Sequence, residues 1–211
     1  MERKIVINKI KNRIRLSEKG TIFLIADFLD IGSYDAVRKA LSRLVNEEIL
    51  FRVIRGIYKK SNYNEFLQYE IPASPDALAR AIARSNNWTI GPKGDAALNI
   101  LGLTTQVPTV YHYISDGPSK KIKYDNIQIV FDKRTNKVIS GYSYKTILVI
   151  EAIRTLGPEN MNELTRKKIL NKCNKNDLML LNSDGKNSTR WIYEEIKKIL
   201  DMGEFDYVEL S

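Results

Sequence analysis

The chain has 211 residues, 43% of them hydrophobic, with 34 Lys+Arg against 25 Asp+Glu for a formal net charge of +9. That apolar content can fill real cores and excludes wholesale disorder. The one cysteine, Cys173, excludes an intrachain disulfide, and no apolar run approaches the length of a membrane span.

The opening Met1-Glu2-Arg3-Lys4-Ile5 lacks the apolar core of a signal peptide, so the expected location is the cytoplasm. In residues 3–16 the apolar positions Ile5, Ile10 and Ile14, with Val6 nearby, predict an amphipathic helix with a basic outer side. Gly20 stops it. Residues 20–31 predict a second, short helical segment with Phe23, Phe28 and Leu29 as core contacts. After Gly32, Ser33 is a good N-cap for a helix over Tyr34–Asn46. Val37, Ala40, Leu41, Leu44 and Val45 share one face of that helix. Asp35, Arg38, Lys39, Ser42, Arg43 and Asn46 lie mostly on the other.

Ile49–Ile54, the pair Arg55-Gly56 and Ile57–Lys59 read as a hairpin around a tight glycine turn. Residues 60–72 are expected to be a polar linker ending at Pro72. Helical periodicity returns at Ala77–Ala83 and Asp95–Ile100, with a strand-like Trp88–Pro92 between them. Thr109–Ile114, Ile122–Tyr124 and Asn126–Phe131 predict strands of one small sheet. Thr146–Leu156, Asn160–Asn171 and Thr189–Leu200 predict helices.

The expected fold class is α+β. A winged helix-turn-helix would occupy residues 1–63, a small α/β domain 72–145, and a helical C-terminal region 146–211. Charge supports a special role for the first part. Residues 1–63 hold 14 Lys/Arg and 7 Asp/Glu, a local +7, which leaves +2 for the rest. Such asymmetry is the footprint of a polyanion-binding module.

A helix-turn-helix lays one helix in the major groove, apolar face inward and short polar or basic side chains outward. Residues 33–46 fit. Arg38 and Arg43 suit bidentate contacts to guanine edges, Ser42 and Asn46 suit base edges or phosphates, and Lys39 is a further DNA-binding candidate. Ser33 and Tyr34, at the helix N-terminus, suit phosphate contact. Arg52, Arg55 and Lys59 flank the Gly56 turn and would form a basic wing. Exposed basic residues are often merely solvated; the N-cap, helix, wing and local charge together favour double-stranded DNA. A second cationic cluster, Arg166, Lys167, Lys168, Lys172 and Lys175, reads more readily as a solvated helix surface than as a further DNA contact.

Catalysis has little support. One histidine, His112, and one cysteine give no metal cluster of usual spacing. Gly91-Pro92-Lys93-Gly94 lacks the spacing of a phosphate-binding loop. Asp125 and Asp132 bracket a strand and would point to opposite faces. The expectation is no enzyme, no cofactor and no metal.

The stretches Asp27–Ser33, Val37–Leu44, Ile49–Arg52 and Arg55–Tyr58 resemble the winged-helix domain of the AbiEi family, antitoxins and transcriptional regulators of bacterial type IV toxin–antitoxin systems. Ala97–Gly102, Leu103-Thr104-Thr105-Gln106-Val107-Pro108 and Ser115-Asp116-Gly117-Pro118-Ser119 resemble its middle domain. The resemblance covers roughly residues 20–135. It implies binding to inverted repeats upstream of the protein's own operon, repression of that operon in phage defence, and two copies on two half-sites. It also implies opposition to a nucleotidyltransferase-type toxin without a stable complex. The alternatives are a winged-helix regulator with no toxin partner and a protein-interaction adaptor.

Overall fold

A computed structural model describes residues 2–134 and 141–203, with side chains from Ile5 onward. Residues 135–140 of the expected middle domain and 204–211 of the expected helical region lie outside the described residues. The protein is α+β, and its chain divides into two compact units, 1–87 and 88–211.

The first unit begins with α1 (Glu2–Leu16), β1 (Ile22–Leu24) and a 3-10 turn (Ile25–Phe28). The helix α2 (Tyr34–Asn46) and the strands β2 (Leu50–Ile54) and β3 (Ile57–Lys60) follow. The three strands form an antiparallel sheet in the order β1-β3-β2. Residues 20–31 are therefore helical only at the 3-10 turn Ile25–Phe28, and Ile22–Leu24 is a strand instead. Ile22, Phe23 and Leu24 pair with Lys59, Tyr58 and Ile57, and that ladder takes the backbone groups a helix would use. Phe23 and Phe28 are buried with ring centroids 5.3 Å apart, whereas Leu29 and Ile5, read as apolar-face residues, are half-exposed.

The core of this unit joins Val6, Ile10 and Ile14 of α1 to Phe23, Phe28, Leu50 and Tyr58. Val37, Ala40, Leu41 and Leu44 of α2 complete it. Full burial of each Leu or Val stabilises the fold by about 1.5–3 kcal/mol, so α2 is fixed mainly by this stripe.

Residues 60–72 are not a featureless linker. They hold a small hairpin, β4 (Tyr63–Asn64) and β5 (Tyr69–Glu70). The helix α3 (Pro75–Asn86), capped by Ser74 and packed on β1, closes the unit. The seam therefore lies after Asn87 rather than at residues 60–72. Arg84 donates to Asp27 at 2.9 Å, which ties α3 back to the 3-10 turn.

The second unit contains β6 (Ile90–Lys93), α4 (Asp95–Ile100), β7 (Val110–Ser115), β8 (Lys120–Tyr124) and β9 (Ile127–Lys133). The helices α5 (Tyr144–Leu156), α6 (Glu163–Leu170), α7 (Lys175–Gly185) and α8 (Arg190–Met202) follow. The sheet order is β6-β7-β9-β8, antiparallel except for the parallel pair β7/β9. Sheet and helices belong to one unit here, because α5 packs directly on β6. Gly91 makes that approach possible: a Cβ there would land inside the Ile147 side chain of α5. The helix α7 is absent from the sequence-based expectation, although Asn174 and Asp177 cap its start reciprocally.

The two family-like segments have structural explanations. The Asp116 carboxylate accepts from the Thr89 amide at 2.8 Å, and the Asp116 amide donates to the Thr89 carbonyl at 3.2 Å. Gly117 lies so close to Trp88 that a Cβ would enter the indole ring. The Ser119 hydroxyl accepts from the Lys133 amide at 3.2 Å. This turn thus ties the start of β6 to the end of β9. In the other segment Thr104 accepts from the Gln106 amide at 3.1 Å, and Asn99 donates to the Gln106 carbonyl at 2.9 Å.

Candidate nucleic-acid interface

Ser33 caps α2, its hydroxyl accepting from the Ala36 amide at 3.4 Å. With Val37, Ala40, Leu41 and Leu44 committed to the core, the helical period turns Ser33, Tyr34, Arg38, Lys39, Ser42, Arg43 and Asn46 outward, and all seven are exposed. Arg38 has one weak neighbour, Asp35 at 3.6 Å, with both side chains more than half exposed. Lys39 and Arg43 pair with no acid among the described residues.

A concave surface of about 350 Å³ runs beside α2, lined by Arg38, Lys39, Ser42, Arg43, Asn46 and by Val6 and Ile7 of α1. A neighbouring hollow of about 530 Å³ reaches Ser33 and Lys9. Lys9 is a cation that the sequence reading did not single out. Its signal was the basic side of α1.

The β2–β3 hairpin turns on Arg55-Gly56, with Ile54 paired to Ile57 and Gly56 at φ +81°. That φ favours glycine, and it leaves Arg55 at the tip. Arg52 and Arg55 are exposed and have no acidic partner among the described residues.

Lys59 is a correction. It is 2% exposed, its ammonium donating to the Glu70 carboxylate and the Ile71 carbonyl, and it lies 5.6 Å from the Phe51 ring centroid. Burial alone would raise the Glu70 pKa, but hydrogen bonds from Lys59, the Asn62 amide and Ser61 hold it below the usual carboxylate range. A lysine committed to that cluster cannot reach a phosphate. Lys60 is also occupied, donating to the carbonyls of Arg15 and Ser17 at the end of α1.

Two cations of the second cluster, Arg166 and Lys167, are neutralised, whereas Lys168, Lys172 and Lys175 are exposed with no acidic partner among the described residues. Arg166 meets Glu195 at 2.7 Å with both side chains mostly buried, Lys198 meets Glu195 at 2.7 Å, and Lys167 meets Glu163 at 2.6 Å. His112 Nδ1 lies 3.2 Å from Asp132, which also sits 3.5 Å from Lys93. Burial pushes the Cys173 thiol up to about 11, away from the reactive thiolate. Among the described residues no group of three or more His, Cys, Asp or Glu could hold a metal ion. No helix among them is long and apolar enough to cross a membrane.

Fold and site together define an α+β protein with a capped, outward-facing cationic helix beside a basic hairpin. The chain belongs to the family of unknown function DUF6088, whose model matches residues 9–180. No curated protein matches it. Among solved structures it is similar to the RV2827C protein from Mycobacterium tuberculosis, with 13% identity and a TM-score of 0.40, over 96% of this chain and 77% of that one.

Proposed function

We propose that the first unit is a winged helix-turn-helix that binds double-stranded DNA, with α2 as the recognition helix and the Arg55-Gly56 turn as the wing. The carrying observation is the set of cations Lys39, Arg43, Arg52 and Arg55, without an acidic partner among the described residues and exposed on one helix face and one hairpin. Phosphates would exchange condensed counterions for these cations, and Arg38 and Arg43 would read base edges. The role requires no catalytic step, cofactor or metal.

The resemblance to AbiEi antitoxins extends the proposal. In that reading the protein represses its own operon in the cytoplasm through inverted repeats. It also opposes a nucleotidyltransferase-type toxin without holding it in a stable complex. The test has two parts. Fluorescence anisotropy compares the protein's own upstream duplex with a scrambled one, and preference for the former is expected. Co-expression with a nucleotidyltransferase encoded beside it should restore growth. Equal affinity for both duplexes contradicts autorepression; growth arrest despite co-expression contradicts the antitoxin role.

A further inference from the structure

Given α2 as the recognition helix, a reading on which this inference rests, we propose that α1 is a second DNA-contacting element. Its Lys9 holds a backbone phosphate beside the start of α2.

A helix-turn-helix ordinarily crosses the phosphate backbone with the element that precedes the recognition helix. Charge prevents that here. Residues 20–37 contain Asp27, Asp30 and Asp35 and no Lys or Arg. Two cations from outside that stretch are already spent on it, Arg84 on Asp27 and Arg13 on Asp30. A phosphate near the start of α2 must take its cation from elsewhere in the unit.

The helix α1 supplies one. Its buried stripe of Val6, Ile10 and Ile14 fixes the rotation of the helix and leaves Lys9, Lys11, Arg13 and Arg15 exposed. Lys11 is tied to Glu47 at 2.9 Å, and Arg13 is tied to Asp30. Lys9 has no acidic partner among the described residues. Arg15 has none either, but it lies further along α1 and lines neither hollow beside α2.

The hollow of about 530 Å³ brings Lys9 of α1 and Lys39 of α2 to one concave surface, with Gly32 and Ser33 also lining it. Lys39 lines the 350 Å³ surface along Arg38, Ser42, Arg43 and Asn46 as well, so the two hollows share that lysine. The approach of α1 is fixed by packing. A Cβ on Gly32 would come within 3.2 Å of the Val6 side chain, so the turn before α2 sits directly against α1. Asp35 is the only acid among the described residues that line the larger hollow, and it lies 3.6 Å from Arg38. Two lysines against one carboxylate with a cationic neighbour leave the hollow positive, which suits a phosphodiester. Phosphate contacts set affinity and register rather than sequence preference, so Lys9 strengthens binding to every duplex alike.

Anisotropy titrations of the full chain across a range of salt, on the upstream and the scrambled duplex, test this. Lys9→Ala should weaken binding to both by the same factor, roughly fivefold to tenfold near 0.1 M salt, and flatten the plot of log affinity against log salt by about one unit. Lys9→Arg keeps the charge and should keep the wild-type slope. Lys19→Ala removes an exposed charge of the same unit outside both hollows and should leave the slope unchanged. A wild-type slope in Lys9→Ala overturns the assignment of Lys9. So does equal flattening by Lys19→Ala, or a loss confined to the upstream duplex. Wild-type protein that binds neither duplex overturns the DNA-binding reading itself, and the role of Lys9 with it.

Discussion

Two helical regions carry clustered cations; those on α2 face solvent, whereas two of the second cluster, Arg166 and Lys167, are neutralised and Lys168 is not. On α2, Lys39 and Arg43 face solvent without an acidic partner among the described residues, and Arg38 has only a 3.6 Å contact with the exposed Asp35. On α6, Arg166 is drawn inward to Glu195, and Lys167 is tied to Glu163 one turn earlier. Similar residue types thus produce a field in one place and an internal staple in the other. A count of Lys and Arg cannot separate the two; the positions of Glu163 and Glu195 do.

The sharpest break in that comparison is expected on DNA. Arg38→Ala/Arg43→Ala should lower affinity for the upstream duplex about a hundredfold or more in anisotropy titrations, since each base-reading contact contributes about 1–3 kcal/mol. The thermal midpoint should not move. Lys167→Ala/Lys168→Ala should change affinity by less than about threefold, because Lys167 is already paired with Glu163 and neither residue belongs to the proposed DNA-binding face.

The next effect is on stability, with the regions reversed. Arg166→Ala leaves Glu195 buried with less compensation and should cost about 3 kcal/mol in urea denaturation. Burial alone would raise the Glu195 pKa, but hydrogen bonds from Lys198 and Arg166 bring it below the ordinary 4.5. A depressed carboxylate stabilises the fold above its unfolded pKa, and that contribution disappears as pH falls through the lower native value. Wild-type stability should therefore fall in acid below pH 4.5, and Arg166→Ala should fall less steeply over the same window.

Gly91→Ala probes what holds the second unit together. The new methyl meets Ile147, so α5 must shift from β6, at a cost of about 1–3 kcal/mol by thermal melting. The smallest effect is Ser33→Ala. Loss of its 3.4 Å cap should cost about 1 kcal/mol of stability.

What the sequence made legible follows the range of the interactions involved. The helix α2 could be read because Ser33 and the period of Val37, Leu41 and Leu44 are local signals, and its outward face follows from that period alone. The β2–β3 hairpin could be read from Arg55-Gly56. Lys59 could not, because its fate is set by Glu70, which lies across a turn and in a second hairpin. The strand β1 is three residues long and exists only through its pairing with β3, so local periodicity suggested a helix instead. The β4–β5 hairpin was obscured by the polar residues around it, although Tyr63, Phe66, Leu67 and Tyr69 were present in the sequence. The neutralisation of Arg166 depends on Glu195, 29 residues away, and no spacing rule reveals it.

The salt dependence of binding to the upstream duplex tests the central claim most directly, comparing wild type, the α2 variant Lys39→Ala and the α6 variant Lys167→Ala/Lys168→Ala. Each lost phosphate contact flattens the plot of log affinity against log salt by roughly one unit. The account predicts a steep wild-type slope, a flatter one for the α2 variant and an unchanged one for the α6 variant. Equal flattening by both variants, or a wild-type slope near zero, would contradict the assignment of the DNA-binding surface to α2.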